Sequence, residues 1–119
     1  MVKLETALGE ITISGEVLET IVGRAVNECF GVAGMAAKDS VENLVSLFKR
    51  NRLDKGVRVI PVGEDMVSIE LHIVVIYGLN IAAVSSSIVN RVRYTVEQAT
   101  GLEVAKVNVF VDAMKTENA

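Results

Sequence analysis

Polar and apolar residues alternate across Glu10-Ile11-Thr12-Ile13-Ser14, and then the period changes: Val17, Leu18, Ile21, Val22, Ala25, Val26 and Cys29 recur at helical spacing with polar residues opposite. The first stretch predicts a strand and the second an amphipathic helix. Gly31 follows the last periodic residue as a C-cap candidate, and Val32-Ala33-Gly34-Met35-Ala36 reads as a short buried strand. Asp39-Ser40 offers an N-cap for a second helix with the apolar stripe Val41, Leu44, Val45 and Phe48, ending in Lys49-Arg50-Asn51-Arg52.

From Gly56 onward the period returns to two. Val57 to Val62 and Met66 to Tyr77 read as a hairpin around Gly63-Glu64-Asp65. Pro61 has no N–H to give to a ladder, which marks the shorter strand as an edge. On the longer strand Val67, Ile69, Leu71, Ile73, Val75 and Tyr77 share the core face, and Met66, Ser68, Glu70, His72, Val74 and Ile76 share the other, which is expected to be buried only near its end. Asn80 then caps a third helix carrying Ile81, Val84, Ile88, Val92, Val96 and Ala99, stopped by Gly101 before a last strand from Leu102 to Asp112.

The order is strand, helix, strand, helix, strand, strand, helix, strand, with two strand-helix-strand units, Glu10 to Ala37 and Val67 to Val111. This predicts an α+β two-layer sandwich, a mixed β-sheet with helices packed mainly on one face. The 119 residues suit a single domain, with a core over about residues 5–112 and residues 113–119 as a flexible tail.

Composition sharpens this. Valine occurs 21 times and aromatic residues only five times, so the core is branched aliphatic and offers little surface for stacking bases. A net charge of -3 gives no global attraction to nucleic acid or to an anionic membrane. The lone Cys29 cannot form an intramolecular disulfide, no signal-peptide pattern opens the chain, and the longest apolar run, Ile73 to Tyr77, is far too short to span a bilayer. The expected location is the cytoplasm, without direct membrane insertion.

The chemistry-bearing residues are sparse. His72 lies next but one to Glu70 on one strand face, a spacing open to proton transfer but read as a surface pair on the solvated side of the sheet. Cys29 continues the apolar stripe of the first helix and is read as a small core residue. Ser85-Ser86-Ser87 has no elbow glycines and no nearby histidine. Gly31-Val32-Ala33-Gly34 has the GxxG form of K-homology RNA-binding domains, but its interior is apolar and a strand follows it, so it is read as a helix cap with a close backbone approach. With one histidine and one cysteine, no zinc site of usual composition, no catalytic residue and no cofactor are expected. The dense cation cluster Lys49, Arg50, Arg52 and Lys55 is the candidate partner-docking site, and it also complements a helix C-terminus.

Gly9-Glu10-Ile11-Thr12-Ile13-Ser14, the helix after it and Gly31-Val32-Ala33-Gly34-Met35 resemble the opening of the alkaline shock protein, or envelope stress response, family of Gram-positive bacteria. Gly56-Val57-Arg58-Val59, Ile73-Val74-Val75-Ile76-Tyr77-Gly78, Asn80-Ile81, Thr100-Gly101-Leu102-Glu103-Val104 and Val107-Asn108-Val109 resemble its remaining blocks in order. The short form looks like members encoded beside a dihydroxyacetone-kinase-like protein. The resemblance implies a non-enzymatic scaffold or accessory protein linked to envelope homeostasis, recruited to the membrane by an anchor or family-member partner, with no catalytic residues to carry over. Self-association is expected, because so small a domain leaves part of its apolar surface unburied. A small RNA-binding domain is the alternative.

Overall fold

The longest alternating run of the sequence becomes the centre of the structure. The computed structural model describes residues 2–29, 31–35 and 56–116. In chain order these form β1 (Val2–Thr6), β2 (Gly9–Ile13), α1 (Gly15–Asn27), β3 (Val32–Met35), β4 (Val57–Pro61), β5 (Met66–Ile76), α2 (Ile81–Thr100) and β6 (Glu103–Lys115). The expected helix over Asp39 to Arg52 lies outside the described residues.

A strand has two edges, and β5 uses both. Along one edge β6 runs parallel to it from Met66↔Glu103 to Ile76↔Lys115. Along the other, β4 and β3 lie end to end, both antiparallel: β4 covers Val67 to Leu71 and β3 covers Ile73 to Val75. The junction is continuous. Met35 pairs with Ile73, the Gly56 carbonyl accepts the next N–H, that of His72, at 2.8 Å, and Val57 pairs with Leu71.

Alternation along β5 sorts its side chains. Val67, Ile69, Leu71, Ile73 and Val75 are buried, whereas Met66, Ser68, Glu70, His72, Val74 and Ile76 are half-buried along the whole strand and not only at its end. The buried row meets Leu18, Val22 and Val26 of α1 and Val84, Ile88, Val92 and Val96 of α2. Each such aliphatic side chain contributes about 1.5–3 kcal/mol relative to exposure. Tyr77, expected on the core face, lies beyond the strand and is exposed.

Asn80 caps α2 as expected, its Oδ1 accepting from the Ala83 N–H at 3.0 Å; Ser14, read only as the end of a strand, caps α1, its Oγ accepting from the Val17 N–H at 3.2 Å. Gly101 ends α2 with φ 80° and an N–H bonded to the Glu97 carbonyl. Gly31 is not the cap of α1: that helix ends at Asn27 with Glu28 as C-cap. Gly31 instead has φ +93° at the point where the chain passes Leu79 and Val84 on its way into β3.

The fold is therefore mixed α+β, two sheets with both helices packed against the larger. Three expectations need correction. β1 is a strand, paired antiparallel with β2, and its Val2 is buried, so the core begins there and not at residue 5. Consequently β2 and β3 belong to different sheets, and of the two strand-helix-strand units only β5-α2-β6 is a crossover within one sheet. Finally, Ala113, Met114 and Lys115 belong to β6 and not to a tail, because β5 extends far enough to pair with all three.

Candidate interaction surface

The half-buried face of the sheet gathers the polar chemistry of the described residues. Arg58 stands directly opposite Glu70 across β4 and β5, with its guanidinium 4.0 Å from the carboxylate. Phe110 stands opposite His72 across β5 and β6, and the two rings stack with centroids 4.7 Å apart and planes 13° from parallel. Both pairs follow from register alone.

Asp112 lies two residues beyond Phe110 and shares its face. Ile73 pairs with Val111 and Val74 with Ala113, so Asp112 has no partner in β5. The carboxylate oxygens lie 3.0 and 3.3 Å from His72 Nδ1. A carboxylate only accepts, so in this contact Nδ1 is the donor. His72 is thus tied to Asp112 and Glu70 to Arg58, and the Glu70/His72 spacing in the sequence does not become a pair.

With side chains 42% and 44% exposed, His72 and Asp112 are screened by water and form a flat surface feature, not a desolvated acid–base site. Cys29 packs against the core while remaining half-buried, and its thiol donates to the Ala25 carbonyl at 3.4 Å. Burial pushes the thiol above its ordinary value; Arg91 draws it back and Glu28 adds to the rise. Of the GxxG segment, Gly31 precedes β3 and Gly34 lies within it, paired with β5; the close backbone approach read for it is found at Gly31, and the helix-cap role is not. Lys49, Arg50, Arg52 and Lys55 lie outside the described residues, between the end of β3 and the start of β4.

A second surface was not foreseen. The far edge of β6 has no partner among the described residues, over a strand of 13 residues. Phe110 and Met114 on it are each nearly half exposed. No helix among the described residues is long and apolar enough to cross a membrane.

The chain is 35% identical over 118 residues to the uncharacterized protein YloU of Bacillus subtilis, covering 98% of both chains. It is 37% identical to the uncharacterized protein Spy1614 of Streptococcus pyogenes, covering 96% of this chain and 94% of that one. A stress response regulator gls24 homolog of S. pyogenes is 31% identical over 92% of this chain and 60% of its own length. In fold, the chain is similar to two variants of the MamM CTD, at a TM-score of 0.51 and 15% identity, covering 84% of this chain and 95% of theirs. Residues 3–116 match the alkaline shock protein 23 family, described as having a cell envelope-related function, and the chain belongs to that family.

Proposed function

We propose that this protein is a non-enzymatic interaction module serving cell-envelope homeostasis, held in the cytoplasm, associating with further copies of itself, and brought to the membrane by a partner docked on Lys49, Arg50, Arg52 and Lys55. The observation that carries the reading is the open sheet face, on which Arg58, Glu70, His72, Phe110 and Asp112 meet across strands with their side chains in reach of solvent. Such a display suits recognition between surfaces, where charge fixes orientation and a few rings supply contact. The envelope-related description of the family and the stress-regulator name among its relatives support the same reading.

The test is complementation of a deletion strain under envelope-damaging conditions. Cys29→Ala is expected to restore resistance, because its side chain does no chemistry in this reading and lies off the displayed face. Loss of resistance by this variant at normal abundance and fold overturns it in favour of an enzyme.

A further inference from the structure

The free edge of β6 is built to match itself. The Glu103 N–H bonds to the Asp65 carbonyl at 2.8 Å, and the Lys115 carbonyl accepts the Tyr77 N–H at 2.9 Å, so the backbone groups of both residues point toward β5. The residues that partner alternate positions of β5, namely Lys106, Asn108, Phe110 and Ala113, point the same way. The N–H and C=O groups of Val107, Val109, Val111 and Met114 and the C=O of Val104 are therefore left for the far edge, while the Val104 N–H donates to Glu97 Oε2 at 3.2 Å. A strand of this length with an unpaired row of donors and acceptors is a template for another strand.

We propose that a second copy of this chain pairs there, β6 antiparallel to β6, about a two-fold axis at Val109. In that register Val109 meets Val109 and Val107 meets Val111 with both bonds of each pair complete, and Val104 meets Met114, where the Met114 N–H is left to bond the Val104 carbonyl. Side chains match by face, with valines together above the helices and Asn108 beside Phe110 on the open side. The charges also match. Lys106 faces Asp112 and Glu103 faces Lys115, each pair occurring twice, at positions between the hydrogen-bonded pairs where side chains come closest.

The two irregularities of β6 decide between registers. Ala105 and Asp112 are the residues skipped where the pairing with β5 shifts. In the proposed register one copy's extra residue, between Val111 and Met114, falls opposite the other's, between Val104 and Val107, so both ladders stay in step beyond it. A slip of two residues either way sets the irregularities out of step and places Lys106 opposite Phe110 or Met114. The result is a closed, isologous dimer with one sheet running through both copies.

This surface deepens the reading of the protein as a self-associating module, and its test is independent of complementation. Two variants make the edge single-signed: Glu103→Lys with Asp112→Lys, and Lys106→Glu with Lys115→Glu. Sedimentation should show self-association of each weakened about thirtyfold or more, and an equimolar mixture should form a heterodimer. Register is read by crosslinking in a Cys29→Ala background. Asn108→Cys mixed with Phe110→Cys should form an intermolecular disulfide that neither forms alone. Unchanged self-association of both single-signed variants, a strictly monomeric wild-type chain, or no mixed disulfide overturns the proposal. Those results would leave the envelope role standing, just as failed complementation would leave the dimer standing.

Discussion

A methyl group added at position 31 would meet Leu79 Cδ1 at 2.9 Å and Val84 Cγ2 at 3.0 Å, in a backbone of φ +93°. Both the space and the conformation belong to glycine there. Gly31→Ala is expected to destabilise the fold by about 1–3 kcal/mol in urea titrations, whereas Gly15→Ala, which meets nothing, should leave stability unchanged or slightly raised. Cys29 gives a pH signature. Its thiol holds its proton more tightly in the folded chain than in the unfolded one, mainly through burial. The stability this group contributes is full below the ordinary thiol value of 9.0 and is lost as pH rises through it. From about pH 8 to about pH 10.5 the wild-type chain should therefore lose more stability than Cys29→Ala, a difference in which the other titrating groups cancel.

Among the elements, β5 carries the greatest energetic weight, since its inner row meets both helices. Ile73→Ala removes a fully buried side chain from that row, and calorimetry should show a loss of about 2–5 kcal/mol. Asn80→Ala, which removes only the N-cap of α2, should cost about 1 kcal/mol. β4, β5 and both described helices were legible in the sequence from their period, and for α2 the N-cap and glycine stop agree with it, whereas the caps of α1 were not legible. β1 was not: Val2 and Leu4 give only two apolar positions, and the strand pairs with β2 alone. The end of β6 escaped for a different reason, because the length of a paired strand depends on its partner and not on its own residues. The same holds for the surface. His72 and Glu70 could be placed on one face from alternation, but the contact of His72 with Asp112 depends on the register between β5 and β6, which no local pattern announces. The cation cluster was legible as composition, and the self-matching edge was not, since its logic appears only once β5 fixes which backbone groups point outward.

At the scale of the whole molecule, the net charge of -3 set against one dense basic segment predicts steered docking of an acidic partner. Reversing Arg50 and Arg52 to glutamate should slow capture of that partner and flatten its salt dependence, with a stability change under about 0.5 kcal/mol. The end-to-end junction of β3 and β4 brings together the two residues that flank the segment bearing those cations. Met35 and Gly56 occupy successive rungs on β5, opposite Ile73 and His72, although 20 residues intervene in sequence. Successive rungs lie about 3.3 Å apart along a strand, within the span of one peptide bond. Residues 36–55 are thus a cassette spliced into what is spatially one strand. Excising them and joining Met35 directly to Gly56 should give a shorter protein that still unfolds cooperatively and still pairs through β6, but no longer captures the acidic partner. By the same geometry this junction is a graft site, where a foreign loop of any length whose ends meet can be carried without asking the sheet to move.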